Sequence, residues 1–265
     1  MITAGIDVGS KNIKAVVLRD GRIAGEAVGS GGFEQLARAT ELLKQAVRAA
    51  GCATADLTHI TATGAGRTAV AFAHSTVTGV TAGARAANHL FPGARTVVEV
   101  GAEESRAVKT DGAGRVLDSA VNEKCAAGSG SFTESMARAL GMTLEEFAVR
   151  STQSTARIPM NAQCTVFAES EVVNLIHSGV DPKDIARAVH DAIASRVAAM
   201  VRRVKLEGEV VLLGGMARNP GFVKCLKENL EVETLLIPDR PELADALGAA
   251  LVAADRAGAA PGGRP

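Results

Sequence analysis

The chain has 265 residues, of which 47% are hydrophobic and 22% are charged, and its formal net charge at pH 7 is +0. This neutral balance, with 3% aromatic residues and neither Trp nor Tyr, argues against a nucleic-acid partner, which needs a basic surface and stacking side chains. Four cysteines, no basic segment followed by an apolar stretch after Met1, and no apolar run of ~18 residues predict a cytoplasmic protein with free thiols and no membrane span.

The N-terminal segment predicts two strands around a phosphate-binding turn. The strands are Ile2–Asp7 and Ile13–Arg19, and Asp20-Gly21 is a hairpin turn into a third strand, Arg22–Val28. Backbone N–H groups of a tight turn bind anions, and Asp7 could hold a metal ion on a phosphate. An Asp-x-Gly-Ser motif also occurs in ordinary hairpins, which is the alternative. The predicted phosphate-binding residues are Gly9, Ser10, Lys11, Asn12 and Lys14.

A helix and a further strand follow this unit. The helix is predicted over Phe33–Ala50 and ends at Gly51. The strand is predicted over Leu57–Thr63, and another helix over Ala82–Leu90. Pro92-Gly93 is the predicted boundary between two lobes.

The strand–acid–glycine pattern of the N-terminus then returns. Thr96–Val100 leads through the turn Gly101–Glu104 into Ser105–Thr110, and the Asp111–Gly114 turn leads into Arg115–Ala120. Such self-similarity predicts an internal duplication, with one phosphate-facing hairpin from each lobe. The repeated turn contributes the candidates Glu99, Gly101 and Glu103.

Two cysteines stand shortly before predicted helices. Cys125 precedes the turn Gly128-Ser129-Gly130 and a helix over Ser131–Leu140, and Cys164 precedes a helical run to His177. A helix N-terminus favours negative charge, whether phosphate or thiolate. Each cysteine alone is explained as a small buried hydrophobe, but the pair favours metal or redox chemistry.

The C-terminal part predicts a βα unit. Thr143 begins a short capped helix, and Asp181-Pro182 begins a long one that reaches Val204. A buried strand, Glu209–Leu213, ends at the diglycine Gly214-Gly215, where a flat ligand could approach the backbone, although a plain βα turn explains it equally well. Cys52 is interpreted as structural, and Cys225 as part of the core.

Together these motifs resemble the acetate-kinase/sugar-kinase/Hsp70/actin superfamily. Asp7–Lys14 matches its first phosphate loop, Glu99–Glu104 its second, and Gly214–Arg218 its adenosine motif. The segments Asn122–Gly130 and Cys164–Glu171 resemble a narrow branch, the BadF/BadG/BcrA/BcrD ATPase family. This family comprises activators of 2-hydroxyacyl-CoA dehydratases and ATP-binding subunits of benzoyl-CoA reductase, and the resemblance runs from Ile2 to about Ala254.

The resemblance implies an α/β fold of duplicated ribonuclease-H-like (actin-like) type, with two lobes and a nucleotide cleft between them. The implied lobes are residues 1–94 and 95–240, with a C-terminal helix over 241–257 packing back on the first lobe and a flexible tail over 258–265.

The implied function is ATP-driven electron transfer. The resemblance implies one [4Fe–4S] cluster shared by two subunits, a homodimer or a pair of paralogues, with Cys125 and Cys164 as the ligands from each. Asp7 and Glu99 would surround Mg²⁺ and the attacking water, and Met216 and Arg218 would lie with Gly214 and Gly215 beside the adenosine of ATP. The electron would come from a ferredoxin-like donor and go to an acyl-CoA dehydratase or benzoyl-CoA-type reductase component.

The second phosphate loop departs from the activator pattern. Activators typically carry Asp-x-Gly-Gly-Gln-Asp there, whereas this chain has Ala102 and Glu103 at the second glycine and the glutamine. This loop, the opening Ile2–Asp7 and the segment Ser151–Gln153 look more like the benzoyl-CoA reductase subunits. Two alternatives stay open: a small-molecule kinase of the superfamily without a cluster, and a nucleotide-gated regulatory subunit with little turnover.

Overall fold

The computed structural model describes residues 1–122, 130–160 and 165–258, without the side chains of residues 165 and 166. The chain divides into two compact units at the Pro92-Gly93 dipeptide. Unit 1 contains residues 1–92 and 113–115 and the chain from Leu243 on, and unit 2 contains residues 93–112 and 116–242.

Each unit begins with three consecutive strands, and helices follow them. The described strands are β1 (Ile2–Val8), β2 (Asn12–Arg19), β3 (Arg22–Ser30), β4 (His59–Thr63), β5 (Ser75–Thr76), β6 (Ala94–Val100), β7 (Ser105–Thr110), β8 (Val116–Asn122) and β9 (Glu209–Leu213). The described helices are α1 (Gln35–Ala49), α2 (Gly79–Leu90), α3 (Gly130–Ala139), α4 (Leu144–Thr152), α5 (Thr165–His177), α6 (Pro182–Val204), α7 (Pro220–Leu230) and α8 (Ala244–Gly258).

Unit 1 is built on a sheet with strand order β3-β2-β1-β4-β5. β1 runs antiparallel to β2 and parallel to β4, and helices cover both of its faces. Ala4, Ile6 and Val8 point into a core shared with α1, while Thr3 points the other way and donates to the Ala250 carbonyl oxygen of α8 at 3.2 Å. This double coverage explains why the sequence of β1 is almost continuously apolar.

Two glycines let α8 approach its neighbours closely. A Cβ on Gly5 of β1 would lie 2.0 Å from the Ala246 carbonyl oxygen, and a Cβ on Gly248 would lie 1.8 Å from the Ala82 carbonyl oxygen of α2. Both contacts are with backbone atoms, which cannot rotate away. The alanine-rich sequence of α8 is therefore a requirement of close packing.

We expect Gly248→Ala to lower the free energy of unfolding by about 3 kcal/mol, because the added methyl group overpacks a backbone contact. Urea unfolding followed by far-ultraviolet circular dichroism measures this change in a chain without Trp or Tyr. Gly258→Ala in the same helix is the matched control, since nothing lies within 4 Å of its added Cβ. An equal loss in both variants would contradict the packing argument.

Unit 2 repeats the plan with strand order β8-β7-β6-β9. β6 runs antiparallel to β7 and parallel to β9. Its core includes Phe132, Phe147 and Phe222, which lie with Ile193 and Val197 of α6 in one fully buried cluster. α6 contacts α4, α7 and the sheet, and so holds the helices of this unit together.

Local signals in the sequence set several element boundaries. Asp20 and Gly21 have φ of 50° and 79°, as a primed hairpin turn requires, and Gly51 has φ of 63° after α1. Asp181 caps α6 by accepting from the Lys183 N–H at 3.0 Å. The predicted hairpin turn at Asp20-Gly21, the helix end at Gly51 and the helix start at Asp181 are therefore confirmed.

Other boundaries differ from the predictions. β4 begins at His59 rather than Leu57, because a 3-10 turn over Thr54–Asp56 precedes it and ends at Leu57. Phe33 lies before α1 and is fully exposed. The two-residue strand β5 was not predicted, since two residues carry no periodic pattern. Among the helices of the described residues, none combines the length and apolar character that crossing a membrane requires.

Candidate nucleotide site

The first phosphate-type turn lies at the end of β1 in unit 1. The Gly9 N–H donates to the Asn12 carbonyl oxygen at 3.2 Å, which closes the turn, and the Gly31 N–H donates to the Lys11 carbonyl oxygen at 2.9 Å. Ser10 and Lys11 are exposed at its tip. A Cβ on Gly9 would lie 2.9 Å from the Asn12 carbonyl oxygen, so only glycine fits without a shift.

Asp7 is buried directly below this turn. It is 5% exposed, and its Oδ2 accepts from Lys14 Nζ at 2.7 Å. The antiparallel register of β1 and β2 places these two residues opposite each other. The pairing neutralises a carboxylate that would be costly to bury alone.

Gly64 forms a wall of the Asp7 site that the sequence pattern did not predict. β4 runs parallel to β1 and ends beside it, with Thr63 in register with Asp7. Gly64 has φ of 87°, and a Cβ on it would lie 2.4 Å from Asp7 Oδ1. The glycine that ends this strand in the sequence was a usable signal, but only the sheet order shows which acid it faces.

Unit 2 carries the second turn in the matching place. The Gly101 N–H donates to the Glu104 carbonyl oxygen at 2.9 Å, which closes the turn after β6. The first N–H groups of α3 are bound by the same turn, since Gly130 donates to the Gly101 carbonyl oxygen at 2.9 Å and Ser131 to that of Ala102 at 2.8 Å. These two backbone hydrogen bonds therefore join the second turn to the start of α3.

Arg106 ties the acids of the second turn together. Its Nη1 donates to Glu99 Oε2 at 2.9 Å, and its Nε donates to Glu104 Oε1. Glu99 and Arg106 are opposite each other in the β6–β7 register, as Asp7 and Lys14 are in unit 1. Glu103, by contrast, is exposed on the turn.

The adenosine-type turn follows β9 in unit 2. Gly214 has φ of 85°, and a Cβ on it would lie 2.4 Å from the Val100 carbonyl oxygen of β6, so the fold itself requires this glycine. Gly215 is exposed and has nothing within 4 Å of an added Cβ, which leaves room for a flat ligand. Met216 is buried instead, and its sulfur accepts from Thr133 Oγ1 at 3.8 Å.

Arg218 is held by a carboxylate. Its Nε and Nη2 donate to Glu242 at 2.9 and 3.2 Å, and Nη2 also donates to the Asp239 carbonyl oxygen at 2.9 Å. Burial raises the pKa of Glu242, but hydrogen bonds from Arg218 and Arg240 outweigh it and lower that pKa to about 2. The guanidinium therefore joins the turn to the segment before α8.

A buried histidine lies behind this turn. His190 of α6 is fully buried, with Nδ1 2.8 Å from Ser151 Oγ and Nε2 3.0 Å from Asn219 Nδ2. Burial lowers its pKa from 6.5 to about 3, so the ring is neutral at neutral pH. Nothing in the sequence pattern distinguishes this histidine from the others of the chain.

We expect the stability of the protein to fall as the pH is lowered from about 6.5 toward 3, because the unfolded chain protonates His190 in this interval and the folded chain does not. This contribution is fully present above pH 6.5. Urea unfolding at pH 7, 6, 5 and 4 should show a shallower decline for His190→Gln than for the unchanged protein. Parallel pH profiles would contradict the burial of a neutral imidazole.

The predicted cluster residues lie outside the described part of the chain. This applies to Cys125 and Cys164, and to Gly128 and Ser129 of the glycine turn. Of the other cysteines, Cys225 is fully buried, which raises its pKa to about 12, and the Cys52 sulfur lies 3.6 Å from the Val47 carbonyl oxygen. Within residues 1–122, 130–160 and 165–258, no group of three or more His, Cys, Asp or Glu side chains could hold a metal ion.

The sequence is similar to known proteins along almost its whole length. The model of the BadF/BadG/BcrA/BcrD ATPase family matches residues 4–253. The chain belongs to this family. It is 38% identical over 263 residues to the activator of lactoyl-CoA dehydratase from Anaerotignum propionicum, covering 97% of this chain and 99% of the relative. It is 32% identical over 274 residues to a subunit of benzoyl-CoA reductase from Thauera aromatica, covering 96% and 94%.

Two solved structures share the fold over nearly the whole chain. Component A of (R)-2-hydroxyglutaryl-CoA dehydratase from Acidaminococcus fermentans superposes with a TM-score of 0.91 at 32% identity, covering 97% of this chain and 99% of the other. The activator of 2-hydroxyisocaproyl-CoA dehydratase from Clostridium difficile, with bound ADPNP, superposes with a TM-score of 0.89 at 33% identity, covering 97% and 96%. The predicted family and the actin-like α/β fold are therefore confirmed.

Proposed function

We propose that this family member is an ATP-hydrolysing, iron–sulfur electron-transfer component. It drives a low-potential electron into a partner acyl-CoA dehydratase or benzoyl-CoA-type reductase component. The observation that carries the proposal is the buried Asp7–Lys14 pair beneath a closed glycine turn, in a chain that matches an ATPase family over residues 4–253.

The phosphate side of the site is assigned to the first turn. Ser10, Lys11 and Asn12 offer polar groups to phosphate oxygens, while Gly9 closes their turn, and Gly128, Ser129 and Gly130 are the proposed glycine turn for the same phosphates. Asp7 is a carboxylate of the kind that holds Mg²⁺ beside substrate phosphates, and its burial keeps it in place. Mg²⁺, when bound there, supplies charge neutralisation for the phosphates.

The acids of the second turn have separate tasks. Glu99 is ion-paired with Arg106, which holds its carboxylate beside Gly101. In this position it would lie near Mg²⁺ and the attacking water. Glu103 is exposed, with its carboxylate able to accept a hydrogen bond from the attacking water. Gly214, Gly215, Met216 and Arg218 form the adenosine side, in which Gly215 provides the open surface and Arg218 the rigid support.

We expect Asp7→Asn to lower kcat for ATP hydrolysis at least about 100-fold, because a neutral amide removes the charge that positions the metal and the water. Phosphate release from ATP under anaerobic conditions measures this loss. Asp20→Asn is the matched control, an exposed aspartate paired with the N-terminal amine.

A wild-type rate in Asp7→Asn would contradict the assigned role of Asp7. Negligible hydrolysis by the unchanged protein, with and without a reductant, would favour the nucleotide-gated regulatory alternative. This alternative rests on two residues of the second turn, Ala102 and Glu103, which stand where the activators typically have a glycine and a glutamine.

The cluster is assigned to Cys125 and Cys164. A [4Fe–4S] cluster takes four thiolates, which a homodimer or a pair of paralogues sharing it provides from two cysteines each. Cys225 does not suit this role, because its thiol is buried and its pKa is raised to about 12. The cluster, when bound, supplies one-electron transfer between a ferredoxin-like donor and the partner component.

We expect anaerobically purified protein to contain four irons and four sulfides per two chains. Cys125→Ala and Cys164→Ala should each lose the iron and the brown colour, whereas the control Cys52→Ala should keep both. Iron and sulfide analysis with a visible spectrum measures this. Colourless protein that binds ATP but takes up no iron on reconstitution would refute the electron-transfer function and leave the kinase alternative.

The relatives support a partner of the acyl-CoA dehydratase or reductase type. Overall identity is higher to the lactoyl-CoA dehydratase activator, at 38%, than to the benzoyl-CoA reductase subunit, at 32%. This difference favours a 2-hydroxyacyl-CoA dehydratase as the electron acceptor, whereas the Ala102 and Glu103 of the second turn look more like the reductase subunits. Reduction of a purified dehydratase component in the presence of ATP and a low-potential donor tests the assignment.

A further inference from the structure

Three buried side chains form a hydrogen-bonded row in unit 2. Ser151 of α4, His190 of α6 and Asn219 at the start of α7 are 1%, 0% and 7% exposed. His190 joins the other two, with Nδ1 2.8 Å from Ser151 Oγ and Nε2 3.0 Å from Asn219 Nδ2. The row therefore links three helices that are far apart in the sequence.

The direction of the hydrogen bonds follows from Asn219. Its Oδ1 accepts from the Phe222 N–H at 3.0 Å, which leaves Nδ2 as the donor toward His190. His190 Nε2 must then be the acceptor, so the ring proton is on Nδ1, where Ser151 Oγ and the Ala186 backbone are its hydrogen-bond partners. The burial of the ring, which lowers its pKa to about 3, keeps this single tautomer neutral at neutral pH.

Asn219 also holds the adenosine-type turn in place from its C-terminal side. It directly follows Arg218, and its backbone N–H donates to the Met216 carbonyl oxygen at 3.0 Å. Its side chain caps α7, so a rotation of that side chain would disturb both the turn and the helix. The contact is tight, since a Cβ on Gly221 would lie 2.8 Å from His190 Nδ1 and 2.8 Å from Ser151 Oγ.

We propose that His190 is a positioning residue for the nucleotide: by accepting from Asn219, it orients the turn Gly214–Arg218 against which the adenosine of ATP binds. This inference rests on the proposed function, because it takes that turn as the adenosine side of the site. His190 touches no nucleotide atom. It acts on nucleotide affinity through Asn219 rather than on phosphate chemistry.

Two substitutions at position 190 separate positioning from simple packing. Gln can place its carbonyl oxygen near the location of Nε2 and still accept from Asn219, whereas Asn is shorter and reaches only the location of Nδ1. We expect His190→Asn to raise the KM for ATP about tenfold, the effect of leaving one buried donor without its acceptor, while kcat changes less than about twofold. His190→Gln should stay within about threefold of the unchanged protein in both constants.

Three further variants test the proposal independently of whether the single substitutions at position 190 fold. Asn219→Ser retains a good helix cap but loses the donor to His190, so it should raise the KM for ATP about as much as His190→Asn does. Combining it with His190→Asn should raise the KM no further, because both changes break the same hydrogen bond. Ser151→Ala breaks the other end of the row and should lower the melting temperature without raising the KM.

The measurements are ATP hydrolysis kinetics, ADPNP binding by calorimetry and thermal unfolding by circular dichroism. An equal rise of KM in His190→Asn, His190→Gln and Ser151→Ala, in step with lost stability, would overturn the inference in favour of a packing role. An unchanged KM in folded His190→Asn or Asn219→Ser would also overturn it. Unchanged protein that binds ADPNP but lacks iron would refute only the electron-transfer function, whereas failure to bind ADPNP would refute both.

Discussion

The acid near the end of a core strand in each unit, buried in the case of Asp7 and half-buried in that of Glu99, is neutralised by a cation on the neighbouring antiparallel strand. Asp7 meets Lys14, and Glu99 meets Arg106. Breaking the Asp7–Lys14 pair would leave a buried charge without a partner, at a cost of about 3–5 kcal/mol. Because acid and cation lie opposite each other, this ion pair forms only in one register of the two strands, and that register also places the turn between them.

The two units use the same plan with different chemistry. In each, a glycine with φ near 85° ends the parallel strand beside the acid strand: Gly64 at 87° and Gly214 at 85°. Lys14 is a compact point charge, whereas the Arg106 guanidinium forks between Glu99 and Glu104 and so fixes both ends of its turn. The second turn is further tied to the start of α3 by two backbone hydrogen bonds.

Polar side chains of unit 2 also hold the adenosine-type turn, Gly214–Arg218, in place. Arg218 is fixed by Glu242 on the surface, and Asn219 is fixed by His190 in the core. Burying polar side chains costs desolvation free energy, which hydrogen bonds offset only if each side chain has a partner. The distances of 2.8 and 3.0 Å show that Ser151, His190 and Asn219 have such partners. The adenosine-type turn is thus held from both sides, which favours a preorganised site over one that forms on binding.

The amino-acid pattern alone predicted the strands around each turn, the repeated strand–acid–glycine unit and the family. It also singled out Asp7, Gly9, Gly101 and Gly214 as candidates, because all of these depend on local patterns of apolar residues, acids and glycines. Hairpin and helix-cap residues such as Asp20-Gly21 and Asp181-Pro182 were equally local. The partners of Asp7, the wall formed by Gly64 and the role of His190 could not be predicted, since they are set by strand order and by contacts between helices distant in the chain. They depend on the folded structure, because a hydrogen bond or a close approach is set by positions in space that no sequence spacing specifies.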